Sequence, residues 1–121
     1  MGVLSPILRS AEGGRLMFWC PGCGMPHQVG VGAGDGPRWG YNGDPDRPTF
    51  APSVLVTSHE LRPPVTPDNL AEFGRNPWPQ EKVQIVCHSF VTAGQIQFLG
   101  DCTHALAGQT VDLPAWPEPT P

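Results

Sequence analysis

The stretch from Val83 to Val111, VQIVCHSFVTAGQIQFLGDCTHALAGQTV, limits what this chain can fold into more than any other part of it. Apolar and polar residues alternate on both sides of Thr92-Ala93-Gly94-Gln95, and β-branched residues and Phe are enriched. That pattern reads as two antiparallel strands closed by a two-residue Ala-Gly turn. The turn sets a register in which Thr92 faces Gln95, Cys87 faces Gly100 and Ile85 faces Cys102. Side chains alternate along a strand. Cys87, Cys102 and His104 therefore fall on one face with Ile85, Val91, Ile96 and Phe98, while His88 points the other way.

Such a face needs a partner, and Leu16-Met17-Phe18-Trp19 followed by Cys20-Pro21-Gly22-Cys23-Gly24 and His27-Gln28-Val29 offers one. A C-P-x-C-G turn between two strands is the chemistry of a zinc knuckle, because Pro and Gly let backbone amides curl toward thiolates held one metal radius apart. The knuckle supplies Cys20 and Cys23, and tetrahedral zinc needs two further ligands. Cys87 is the third. The fourth is His104 if the chain turns at Asp101, or Cys102 if the strand runs on. His27 is a weaker candidate at a strand end, and His59 reads as a surface residue.

Composition explains why a staple is expected. Sixteen prolines and fifteen glycines among 121 residues, with only 39% apolar residues, leave one modest core in a single domain. The fold class is a small all-β or β-rich domain with zinc-ribbon-like hairpins, long Pro/Gly-rich loops and at most one or two short helices. Residues 1–15 read as an N-terminal arm or first edge strand, 16–113 as the β domain, and 114–121 as a Pro-rich tail. A Pro-rich insertion covers about 58–81, with one short helix expected over Pro67 to Gly74, Asp68 as its cap and Gly74 as its stop. Pro48 and Pro52 place the segment before Val54-Leu55-Val56-Thr57 at a sheet edge or outside a sheet.

Gly30-Val31-Gly32-Ala33-Gly34 superficially matches a dinucleotide fingerprint, yet Pro37 follows and no helix-forming run does, so it reads as a loop. A net charge of −4 with seven Lys and Arg and no basic cluster argues against nucleic acid, which is held through several cationic contacts. Val3 to Leu8 is too short and too interrupted for a secretory or spanning segment. A cytosolic setting, where thiols stay reduced, favours metal binding over disulfides.

These readings favour a zinc-binding module that acts on a macromolecular partner, its zinc structural, with Trp39, Tyr41, Trp78 and Trp116 near exposed Pro-rich segments as the partner surface. Membrane partners are not expected, and oligomers remain open. The alternative is a zinc-dependent hydrolase in which His88 or Asp101 acts as general base beside the metal. A thiolate-rich site is a poor Lewis acid and tends to be closed, so the balance leans away from an enzyme.

The chain resembles a family of short bacteriophage and prophage proteins without established function, some labelled ammonia monooxygenase. The resemblance runs through Phe18 to Cys23, Trp39 to Asp44 with Pro48 to Ser53, Cys87 to Val91, Ile96 to Phe98 and Asp101 to Val111. It implies a phage origin, with the protein in the host cytoplasm during infection or within the virion. The family often places Ser where Cys102 stands, which points to His104 as fourth ligand. The monooxygenase label has no support, since membrane spans are absent from the sequence.

Overall fold

A computed structural model describes residues 2–117; the last four residues of the expected Pro-rich tail lie outside the described residues. The protein is β-rich, as the alternating pattern requires. Among the described residues its strands are β1 (Gly2–Val3), β2 (Leu8–Ala11), β3 (Arg15–Cys20), β4 (Met25–Gly30), β5 (Gly40–Tyr41), β6 (Phe50–Arg62), β7 (Glu81–Thr92), β8 (Gln95–Phe98) and β9 (Thr110–Asp112), with one helix, α1 (Leu70–Arg75). They form two antiparallel sheets in the orders β1-β2-β3-β4 and β5-β6-β7-β8-β9. Gly2–Val3 and Leu8–Ala11 are thus part of the first sheet, and Leu8 of β2 is fully buried.

Both sheets send alternate residues into one shared core. Leu8, Leu16, Phe18, Cys20 and Val29 meet Phe50, Val54, Cys87, Val91, Ile96 and Phe98 there. Phe18 stacks on Phe50 across the junction, ring centroids 6.1 Å apart. Each fully buried Phe contributes roughly 1.5–3 kcal/mol by removing its ring from water. A backbone bond from Trp39 N to the Gly30 carbonyl, 2.7 Å, ties the edge of the first sheet to the approach of the second.

The Ala93-Gly94 hairpin forms in the expected register, with Thr92 opposite Gln95 and Val91 opposite Ile96. Both turn residues have positive φ, 49° for Ala93 and 80° for Gly94, which the type I′ turn requires and which matches strand twist. Alanine is strained there by its Cβ. Ala93→Asn is therefore expected to raise stability by about 0.5–1 kcal/mol, measured by thermal or urea denaturation.

The register does not extend as the sequence implied. β8 ends at Phe98, and Leu99 to Cys102 turns on a Cys102 N to Leu99 carbonyl bond of 3.2 Å. The pairs Cys87–Gly100 and Ile85–Cys102 are not made. Cys102 instead folds back against His88, because the β7 edge beyond β8 would otherwise carry unpaired polar groups. Its thiol accepts from His88 N and donates to the His88 carbonyl, each at 3.2 Å. Thr103 does the same for Val86, its hydroxyl accepting from Val86 N at 2.9 Å and donating to the carbonyl at 3.2 Å.

The short strand expected at Val54 to Thr57 is a thirteen-residue strand, Phe50–Arg62, paired along its length with β7. The helix is shorter than expected and runs through Gly74 to Arg75; its N-cap position is Asn69 rather than Asp68, and no side-chain cap bond is made. Asn69 is spent on the loop before the helix, accepting from Thr66 N at 2.7 Å and donating to the Pro64 carbonyl at 3.1 Å. The aromatics expected at a partner surface have intramolecular partners. Trp116 donates to the Ile7 carbonyl and lies beneath Arg9, Tyr41 stacks on Phe50, and Trp78 packs edge-on against Phe73. Among the described residues no helix is long and apolar enough to cross a membrane.

Candidate active site and metal centre

β7 is the interior strand on which two clusters of chemistry meet. Its alternation puts Cys87 inward, 1% exposed, and turns His88 to the opposite face. On that outer face the His88 imidazole is held at both nitrogens. Nδ1 lies 3.1 Å from Asp101 Oδ2, and Nε2 lies 3.0 Å from Ser53 Oγ. A carboxylate can only accept, so Nδ1 carries the proton and Nε2 accepts from the Ser53 hydroxyl.

Ser53 reaches His88 because β6 is irregular where it passes. Phe50 pairs with Val91 and Val54 with Ser89, so Ala51, Pro52 and Ser53 stand opposite Phe90 alone. Two extra residues make a bulge, which bends a strand and re-aims its side chains. Pro52 suits the bulge because it has no N–H to lose from the ladder. The Trp39 indole donates to the Ser53 carbonyl at 3.1 Å and pins the bulge from the side. Asp101 sits on the Leu99–Cys102 turn, which Leu99 N fastens to the His88 carbonyl at 2.9 Å.

A hydroxyl, an imidazole and a carboxylate in this order form a relay that activates the hydroxyl as a nucleophile. His88 and Asp101, the residues considered for an enzyme, are thus brought together, and Ser53 is the member the sequence reading missed. Its flanks, Ala51-Pro52-Ser53-Val54-Leu55, lack the Gly-x-Ser-x-Gly pattern of a nucleophile elbow. The chain order Ser, His, Asp also differs from the familiar orders, so geometry alone reveals it. The one available signal was a lone Ser closing the Pro48 to Ser53 block.

Cys102 holds His88 in place through its backbone N–H and carbonyl. Cys102→Ala leaves the His88 N–H and carbonyl without that partner and is expected to cost about 1–3 kcal/mol, whereas Cys102→Ser keeps a donor and an acceptor and is expected to cost less. Denaturation midpoints of the two variants check this.

Inward of β7 lies the second cluster. Sγ of Cys20, Cys23 and Cys87 and a ring nitrogen of His27 lie within 4.8 Å of one another and could hold a metal ion. The knuckle forms as its sequence indicates: Gly24 N closes on the Cys20 carbonyl at 2.9 Å, and Cys23 N donates to Cys20 Sγ at 3.4 Å. Cys20 Sγ is 3.8 Å from Cys87 Sγ, and all four cysteines are free thiols. A hydrogen bond from Cys87 pulls the Cys20 thiol down to about 4 against the opposing effect of burial. The Cys87 thiol is pushed up by that same contact and by burial, and burial followed by the Cys20 charge pushes Cys23 up to about 11.

His27, and not the expected His104, lies with these three thiols in the group. This weaker candidate of the sequence is 3% exposed. The β3–β4 register explains why: Phe18 faces His27 and Cys20 faces Met25, so His27 shares the inward face with Phe18 and Cys20. Its Nε2 is buried without a hydrogen-bond partner. His104 and Cys102 form a second group of three with Cys87. The His104 ring packs edge-on against Phe98, centroids 4.4 Å apart, and accepts from Leu106 N at 3.2 Å. It also lies directly over Gly22, where a Cβ would overlap the ring and force it to shift.

No curated protein and no solved structure matches the chain. A family sequence model matches residues 3–99, which include Ser53, His88 and the four cluster residues. On that match the chain belongs to the family described as "Bacterial ubiquitination-like system serine protease (BubE)".

Proposed function

We propose that the protein is a serine protease with Ser53 as nucleophile, His88 as general base and Asp101 as the group that orients the imidazole. The observation that carries this reading is the hydrogen-bonded chain from Ser53 Oγ through His88 to Asp101. The family description supports it. A partner-binding role alone would leave these three residues without a use, and the hydrolase alternative needed a metal-bound water where Ser53 stands.

The chemistry follows from the geometry. As Ser53 Oγ bonds to the substrate carbonyl carbon, its proton passes to His88 Nε2, and the carbonyl electrons move to oxygen. Asp101, accepting from Nδ1–H, keeps the imidazole in the required tautomer and offsets the positive charge that develops on it. When the C–N bond breaks, His88 returns the proton to the leaving amine. Water then attacks the Ser53 ester with His88 again as base, releasing the acid and restoring the hydroxyl.

Zinc is the ion proposed for the inner cluster, in a structural role. Four ligands of Cys and His type close a tetrahedron, and thiolates about 2.3 Å from zinc lie about 3.8 Å apart, the spacing of Cys20 and Cys87. The orphaned His27 Nε2 fits a metal bond. Held there, zinc joins the β3–β4 hairpin to β7 and so steadies the strand that carries His88.

A fluorophosphonate probe tests the reading directly. It is expected to modify Ser53 alone, located by mass spectrometry of the digested protein, and to lose reactivity when His88 is replaced by Ala. An unreactive protein, or label on another residue, overturns it. The family description makes a ubiquitin-like protein, or a conjugate of one, the first substrate to assay.

A further inference from the structure

The long strand β6 has one edge that no other strand covers, and its free groups can be identified from the pairing on its far side. His88 and Val86 direct their N–H and carbonyl groups toward Leu99, Cys102 and Thr103. Polar groups of successive residues point to opposite edges of a strand. Ile85, Cys87 and Ser89 therefore bond across to β6, and their partners Ser58, Val56 and Val54 use their own groups on β7. Leu55, Thr57, His59 and Leu61 must then aim their N–H and carbonyl groups away from β7. On that side β5 pairs only with Phe50 and Ala51, and the Trp39 indole covers the Ser53 carbonyl. From Leu55 onward, among the described residues, no backbone or side-chain partner meets this edge.

An open edge of this kind is a template for another strand. This one begins two residues beyond Ser53 and runs on the order of 20 Å to Leu61. Its two sides are shaped for a chain lying against it. On the outer face, next to His88, Leu55 and Phe90 are 57% and 42% exposed, apolar surface that a partner would cover. On the inner side a cavity of about 340 Å³ opens, lined by Cys23, Met25 and His27 across from Val56, Ser58 and Glu60.

Resting on the protease reading, we infer that a peptide substrate binds as an added strand along Leu55 to Leu61, which delivers its scissile carbonyl to Ser53. The backbone of the edge supplies hydrogen bonds to any extended sequence, as in strand-addition recognition. Alternate substrate side chains lie over Leu55 and enter the cavity. Selectivity for the inner-side substrate side chains alongside Val56 to Glu60 then comes from the cavity, which Cys23, His27 and Cys87 also line.

Proline on the open edge is the test, since it removes an outward N–H and leaves the β7 ladder intact. Thr57→Pro and His59→Pro are compared with the natural chain in two assays: fluorophosphonate labelling of Ser53, and cleavage of a proteome-derived library of denatured peptides read by mass spectrometry. Labelling of Ser53 is expected in both variants, with library cleavage reduced on the order of tenfold or more, mainly through KM. In a Ser53→Ala protein, the amides of Leu55, Thr57, His59 and Leu61 are expected to exchange more slowly when cleavable library peptides are added. Cleavage at the natural rate by both proline variants overturns the proposal, as does labelled Ser53 with no library peptide cut. So does an edge occupied by a second copy of the chain, seen as a dimer that proline dissociates without change in cleavage. Absence of Ser53 labelling in the natural chain would instead remove the protease reading itself.

Discussion

Replacing Ser53 with Ala is expected to lower peptide-bond hydrolysis by about 10⁴-fold or more while the fold stays intact, because the substitution removes the nucleophile and nothing that packs. Ser53 lies on the outer face at a bulge, half-buried, and its backbone anchor to Trp39 does not depend on the hydroxyl. Asp101 differs. Its side chain is 56% exposed, so water can partly take over the hydrogen bond to Nδ1, and Asp101→Asn is expected to cost less, on the order of 10²–10³-fold. The two effects should not add: with Ser53 gone, losing Asp101 as well should change little, since the three residues act as one unit. Turnover of a cleavable peptide by the single and double variants checks both statements. Additive losses would mean that Asp101 works outside the relay.

With zinc in the inner cluster as proposed, its removal by a chelator is expected to unfold the protein, or to lower its thermal midpoint by roughly 10 °C or more, since metal-binding free energy at such a site is folding free energy. The core is small, and Cys20 and Cys87 are among its largest fully buried side chains. Without an ion, thiols that must share a proton and an imidazole lacking a partner stay buried at the junction of the two sheets. Cys20→Ser should behave like chelation, as measured by circular dichroism together with metal analysis. Activity should disappear along with the fold, because Cys87 and His88 are neighbours on β7. Refilling the site with cadmium should restore both fold and near-normal turnover, since a structural ion does not touch the substrate. Turnover that depends on which metal is present would return the reaction to the metal and away from Ser53.

Much of this molecule could be read locally. The Ala93-Gly94 turn, its register as far as Phe98, the Cys20 to Cys23 knuckle between two strands, and the opposite orientation of Cys87 and His88 all follow from turn chemistry and the period of two. These depend on neighbours in sequence, and the residue types state them. The triad is another matter. Ser53 and His88 are 35 positions apart, and they meet only because β6 carries two extra residues opposite Phe90. His27 joins the cluster because β4 pairs with β3 in a register that the buried Phe18 and Val29 enforce. Cys102 lies against the His88 backbone because the β7 edge needed partners for its polar groups once β8 had ended.

The amino-acid sequence by itself determined a β-rich chain with a metal-suited knuckle and a histidine facing away from it. Only the tertiary structure decided that this histidine has a serine on one side and an aspartate on the other. The reason is physical: side-chain alternation and turn geometry act over a few residues, whereas a bulge and a long-range register are settled by which pairing buries the shared core and leaves the fewest backbone groups without a partner.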